Sequence, residues 1–182
     1  KYDQLKAFNP WVRVLEPLLS EDGMTVRFRF LEGITLAEKL GSQIRNGKAP
    51  LEEIRAAMKM VFDVDKDQTM PFTVTPEFTE VFGEIPDIDD ISYKVSNIDG
   101  LFENLMLVKA DAKNHGQDGQ AGDERLYCLD YEWVFDFPVP AHFVQYRNLA
   151  YFYYKYQGLL QYAGLEDFLE EFSISRQTAA LY

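Results

Sequence analysis

Two polar sites, each set against a short apolar run, constrain this chain more than any other feature. Asp99 lies in a loop just before Leu101 and Phe102, and Asn104 opens the run Leu105, Met106, Leu107, Val108. Asp130 closes a second run, Leu126 to Leu129, and Glu132 follows two residues on. Apolar runs of that length suit buried strands, so both sites are expected at strand ends, where side chains can converge on a ligand. Residues 109 to 125 carry Gly116, Gly119 and Gly122 among charged and amide side chains and read as an exposed hairpin-type connection. Antiparallel pairing of the two runs then places Asn104 near Asp130. A carboxylate with an amide oxygen is a plausible set for a hard cation: magnesium takes oxygen ligands and completes its shell with water and phosphate. The bland alternative is that these Asp and Asn residues only shape turns.

The spacing Asp99-x-x-x-x-Asn104, followed by Leu129-Asp130-Tyr131-Glu132, resembles the catalytic and metal-binding segments of the protein-kinase-like fold. The likeness is closest to small-molecule kinases of the aminoglycoside phosphotransferase and choline kinase type. It implies that Asp99 accepts or orients the acceptor hydroxyl, that Asn104 is a magnesium ligand and that Asp130 is the principal one. Glu132 stands where many of these kinases carry a further acidic residue. The chain departs from the pattern at Asn97, where the family has His, and in the longer gap from Asn104 to Asp130. Asn97 can hydrogen-bond neighbouring backbone but lacks the packing and titration of imidazole.

Further upstream, Phe30-Leu31-Glu32-Gly33 runs from an apparent strand into a helix. That order resembles the hinge between the two lobes of the same fold, and implies that backbone beside Phe30, Leu31 and Glu32 binds adenine; an ordinary strand-to-helix turn is the alternative. The cofactors implied are Mg²⁺ and ATP. The fold implied is α+β: a mostly helical large lobe over residues 34–182, a hinge-like β-hairpin within 1–33, and a second hairpin carrying the metal-site candidates. No G-x-G-x-x-G or Walker-type segment occurs anywhere in the chain. With the start at Lys1 in place of Met, the expectation is a piece of a longer polypeptide.

At 182 residues the chain suits one core-forming unit, and 47% apolar residues argue against disorder. A formal charge of −12 disfavours nucleic acid and anionic membrane surfaces as partners through a broad field. A small molecule such as a sugar is the expected partner. No window reaches the length of a membrane-spanning helix, and the first residues lack the apolar core of a signal peptide. Cys128 is the sole cysteine, so no intrachain disulfide is possible and a reducing cytoplasm is the expectation. Its expected role is packing, on the strand face shared with Leu126 and Asp130.

In chain order, Trp11 to Leu15 and Met24 to Leu31 flank the turn cluster Ser20-Glu21-Asp22-Gly23 and read as a β-hairpin, the second strand half-buried through Val26, Phe28 and Phe30. Thr35 and Glu38 have the form of a capping box for a helix to about Ile44. A helix from Leu51 to Phe62 carries Leu51, Ile54, Met58, Val61 and Phe62 on one stripe. Asp63, Asp65 and Asp67 mimic a calcium loop, but Gln68 and Val74 occupy its glycine and glutamate positions, which leaves a solvated helix end. Thr75 or Thr79 caps a short helix ending at Gly83. Pro86 to Asp90 reads as an acidic loop that keeps an edge soluble. Pro138 and Pro140 exclude a regular helix from Trp133 to Pro140. A long, largely buried aromatic helix follows over Ala141–Tyr156, with Arg147 placed to pair with a buried carboxylate. His142 and His115 are too far apart in context to form a metal site. A last helix is expected over Leu165–Phe172, and the tail Ser173–Tyr182 has no evident partner.

Three functions remain open on the sequence. One is phosphotransfer to a small hydroxylated substrate. Another is a catalytically inactive kinase-like module attached to an enzyme of surface-polysaccharide assembly such as a glycosyltransferase. The third is a hydrolase using Asp130 and Glu132 as carboxylates on one strand face, about 6–7 Å apart.

Overall fold

A computed structural model describes residues 1–8, 12–109, 124–160 and 163–182. Helix takes 42% and strand 20% of the described residues, which makes the fold α+β. It opens with helix α1 (Tyr2–Lys6) and the short strands β1 (Val12–Val14), β2 (Pro17–Leu19), β3 (Val26–Phe28) and β4 (Ile34–Thr35). Then come helices α2 (Leu36–Arg45) and α3 (Pro50–Phe62), strand β5 (Thr69–Pro71) and helix α4 (Pro76–Phe82). Strands β6 (Ile91–Tyr93), β7 (Ser96–Asn97), β8 (Leu105–Lys109), β9 (Glu124–Cys128) and β10 (Val134–Phe135) lead to helices α5 (Ala141–Tyr156), α6 (Leu165–Glu171) and α7 (Arg176–Ala179).

The central sheet has the order β1-β9-β8-β4. The two apolar runs pair antiparallel as β8 and β9, with Leu105 opposite Cys128 and Leu107 opposite Leu126. The connection expected between them at 109 to 125, with His115, falls almost wholly outside the described residues. Alternation along these strands points Leu105, Leu107, Leu126 and Cys128 into the main core. There they meet Leu36, Leu40, Ile54 and Met58 from α2 and α3, Leu149 and Phe152 from α5, and Phe168 from α6. Cys128 packs on the face predicted, beside Leu126. The helices begin where their caps dictate. Thr35 and Glu38 form the reciprocal capping box of α2, Pro50 sits in the first turn of α3, and the Thr75 hydroxyl accepts from Phe78 N at α4. A second cluster gathers Tyr93, Ile98, Val139, Ala141 and Val144 around the N-terminal half of α5.

Four expectations need correction. The first apolar run divides: Val12–Val14 lies parallel to β9, and the hairpin is formed by β2 and β3 alone. In that hairpin β3 is exposed along its length, and Phe30 is 89% exposed. Alternation there belongs to a two-stranded ribbon that stays exposed, although Phe28 meets the Tyr131 ring edge-on. The tail also has a partner, because Ile174 is buried in the main core and the Tyr182 ring packs on Phe143 and Tyr146. Finally, the Asp90 carboxylate is only 2% exposed, so the acidic loop ends in a buried contact. The β5–β6 pair was not anticipated; Thr69, Met70 and Pro71 are too short a run to show a period.

Gly33 is the tightest point between the hairpin and the sheet. A Cβ built there would lie 2.2 Å from the Leu107 carbonyl oxygen, and main chain of β8 cannot swing aside. Gly33→Ala is therefore expected to destabilise the fold by about 1–3 kcal/mol, the usual cost of overpacking. A lower urea midpoint with an unchanged m value would show it.

Candidate functional site

The loop before β8 and the segment after β9 lie side by side because β7 pairs with β10, Asn97 opposite Val134. The Ile98 amide also donates to the Trp133 carbonyl at 3.1 Å. Within this frame the Asn97 side chain bridges both segments. Its Nδ2 donates to the Asp130 carbonyl at 3.0 Å, and its Oδ1 accepts from the Asp99 amide at 3.1 Å. Asn104 closes the other side: its Nδ2 donates to the Asp99 carbonyl at 2.8 Å, and its own carbonyl accepts from Leu129 N at 2.9 Å. Asp99, Asn104 and Asp130 thus belong to main chain tied together at one end of the β8–β9 hairpin. Gly100 fits this turn closely, since a Cβ there would come 3.3 Å from the Asn97 carbonyl.

The Asp99 carboxylate is held by α5. Its Oδ1 accepts from Arg147 Nη2 at 2.9 Å, while Arg147 Nε donates to the Ile98 carbonyl at 2.8 Å. The guanidinium also lies over the rings of Phe143 and Tyr151, 5.9 and 5.2 Å from their centroids. Arg147 therefore has the carboxylate partner its position suggested, and that partner is a candidate catalytic residue. One helical step on, Asn148 Nδ2 donates to the Gly100 carbonyl at 3.2 Å. Nothing in the sequence marked Asn148 out from its aromatic neighbours.

Asp130 and Glu132 do not share a strand face. Strand β9 ends at Cys128, and Asp130 Oδ1 accepts from the Glu132 amide at 3.2 Å in a turn. The pairing behind the hydrolase idea is thereby lost. Glu132 is exposed, and its carbonyl accepts from Lys1 Nζ. The Cys128 thiol donates to the Asp130 carbonyl at 3.1 Å; burial, with the nearby Asp130 charge, pushes its pKa up to about 12. It is a packed, protonated thiol.

Phe30, Leu31 and Glu32 belong to the segment between β3 and β4, in no helix or strand. They line a cleft of about 840 Å³ whose floor includes Leu107 and Tyr127. Leu31 is buried there, and Phe30 and Glu32 are exposed.

Among the described residues no group of three or more His, Cys, Asp and Glu side chains is placed to hold a metal. Asn104 and Asp130 offer a smaller set. Asn104 Nδ2 is committed to the Asp99 carbonyl, and its amide oxygen has no hydrogen-bond partner among the described residues. Asp130 Oδ2 likewise has no hydrogen-bond partner among the described residues. One carboxylate and one amide oxygen are donors of the type magnesium takes, with water and phosphate completing its shell. Compared with known proteins, the chain matches no family model, no curated sequence and no solved structure.

A second polar centre lies at the start of α5. Asp90 Oδ2 accepts from the His142 amide at 3.2 Å, and Asp90 Oδ1 lies 3.2 Å from His142 Nδ1. The Tyr182 hydroxyl is buried without a hydrogen bond of normal geometry; burial and the Asp90 charge raise its pKa. The hydrogen bond that His142 donates to Asp90 raises the pKa of His142 above its ordinary 6.5, against the opposing effect of burial. A raised folded value means that protonated His142 stabilises the native state. That contribution is complete below about pH 6.5 and is lost as pH climbs through the folded value. Urea denaturation at pH 6 and pH 8.5 should show this loss in the parent chain and not in His142→Asn.

Proposed function

We propose that the chain is the large half of a kinase-like phosphotransferase, acting with ATP and magnesium on a small hydroxylated substrate such as a sugar or amino alcohol. The observation that supports this best is the stitching of residues 97–104 to 128–130. Phosphoryl transfer asks little covalent chemistry of a protein and much positioning, and here two amide side chains fix the backbone from which Asp99, Asn104 and Asp130 project. Asn97 meets the positional need that His serves in the family, by hydrogen bonding to both segments.

The roles follow from the contacts. Asp99 Oδ2, with no partner among the described residues, is the oxygen to take or orient the acceptor hydroxyl proton, while Arg147 anchors Oδ1. Asn104 and Asp130 would hold magnesium, whose chemistry is to neutralise charge on the transferring phosphate. Phe30, Leu31 and Glu32 border the cleft in which a nucleotide base would sit. The rest of a longer polypeptide would complete the nucleotide site.

A second reading has one specific observation in its favour. An ion pair at 2.9 Å already engages Asp99, as suits an inactive kinase-like module attached to a polysaccharide-assembling enzyme. Calorimetry on the full-length protein separates the two. The phosphotransferase reading expects magnesium-dependent ATP binding that Asp130→Ala abolishes. It expects Asp99→Asn to keep that binding and to lose transfer by about 10²-fold or more, the scale of general-base catalysis. Absence of nucleotide binding by the full-length protein would overturn it.

A further inference from the structure

Away from Asp99 and Asp130, α1, β1 and the segment after β3 enclose a cleft of about 530 Å³, within the range of small-molecule sites. Its lining is net basic, whereas the chain as a whole is acidic. The chain has 30 acidic and 18 basic residues, and five of its cations meet carboxylates: Lys39 with Glu124, Arg55 with Glu171, Arg147 with Asp99, Lys155 with Glu103 and Arg176 with Glu166. In this cleft Lys6, Arg13 and Arg29 converge from three different segments with only Glu16 beside them. None of the three cations has an ion-pair partner among the described residues. The one contact that moderates them is Lys6 over the Tyr2 ring, 5.4 Å from its centroid.

The sheet builds this arrangement. Register sets Arg13 on β1 beside Tyr127 on β9, and Arg29 comes in from the end of the β2–β3 hairpin, so Tyr2 and Tyr127 add two phenol groups to the wall. Cations gathered from separate segments repel one another, and in an acidic chain the field around them is otherwise negative. A bound anion removes that repulsion. Arginine forks and a lysine point charge are the donors that suit phosphate oxygens.

We infer that this cleft is a binding site for a compact polyanion bearing two or more phosphate groups. The ligand is either a soluble phosphorylated compound or the headgroup of an anionic lipid. Leu18 on the rim of the cleft and Leu19 beside it, 57% and 66% exposed, make the lipid source worth a separate arm.

The test uses the full-length chain without magnesium, so that it does not draw on the proposed metal site. Titration with sodium tripolyphosphate at low salt should give saturable binding that weakens as ionic strength rises. Arg13→Gln and Arg29→Gln should each weaken it at least 10-fold, while Asp130→Ala leaves it unchanged. Lys6→Ala, at an exposed position in a short helix, gives a further variant if either arginine change lowers the melting temperature. Co-sedimentation with phosphatidylglycerol vesicles, compared with phosphatidylcholine vesicles, identifies the lipid source if binding there depends on the same residues. No binding to tripolyphosphate or to anionic vesicles, or binding that the three variants retain, would overturn the assignment. Because Asp130→Ala bears only on the phosphotransferase reading, the two can fail separately.

Discussion

One side-chain amide, that of Asn97, holds the candidate site in shape. The strands beside it are two residues each, too short to fix two loops by backbone pairing alone. Asn97 supplies what they lack by donating to one segment and accepting from the other. Removing the amide would strand the Asp99 N–H and leave the Asp130 carbonyl with the Cys128 thiol alone, and an unsatisfied buried group costs about 1–3 kcal/mol. The Asp130 carbonyl receives a second donor from the Cys128 thiol, which its raised pKa keeps protonated. Both groups stand on the core side of the hairpin, so the polar site and the apolar core constrain the same few residues.

Electrostatics adds a second tie of a different kind. The ion pairs on the outer helices, such as Arg176 with Glu166, are solvent-exposed and contribute little, about 0–1 kcal/mol each. The Arg147–Asp99 pair has both side chains about one-fifth exposed and is anchored at several points. Arg147 also donates to the Ile98 carbonyl and lies over two aromatic rings. It therefore fixes the loop as well as its charge. Aromatic residues four positions before and after Arg147 on α5 thus do more than fill the core, because Phe143 and Tyr151 hold its guanidinium between them.

Much of this was legible in the sequence wherever local rules decide the outcome. The capping box at Thr35, the stripe on α3, the Thr75 cap and the full extent of α5 all follow from spacing and end signals within one segment. The antiparallel β8–β9 pair was legible too, since two apolar runs flanked by polar residues have few other ways to be buried. Long-range choices were not. Nothing in Val12-Arg13-Val14 says that it runs parallel to β9 instead of joining the neighbouring hairpin. Asp90 looked like one more carboxylate of an acidic loop, and only His142 and Tyr182, some 50 and 90 residues on, make it a buried centre. At the candidate site, residue types and spacing were readable, whereas the Arg147 and Asn148 contacts depend on where α5 docks.

The two faces of the central sheet divide the labour that follows from this. Inward residues Leu105, Leu107, Leu126 and Cys128 are buried under four helices, and a substitution there acts through packing. The alternate residues Met106, Val108, Arg125 and Tyr127 are half-buried on the opposite face, with Arg13 exposed beside them. Among the described residues, the helices of the main core pack on the other side. Clefts therefore collect along it and meet at Arg29 and Tyr127. A sheet packed on one face only has its stability decided by that face, which leaves the other free to carry charge and shape that packing would not tolerate. The tied loops sit at the strand ends, so Asp99 and Asp130 draw rigidity from the buried side through Arg147, Asn97 and the core residue Cys128.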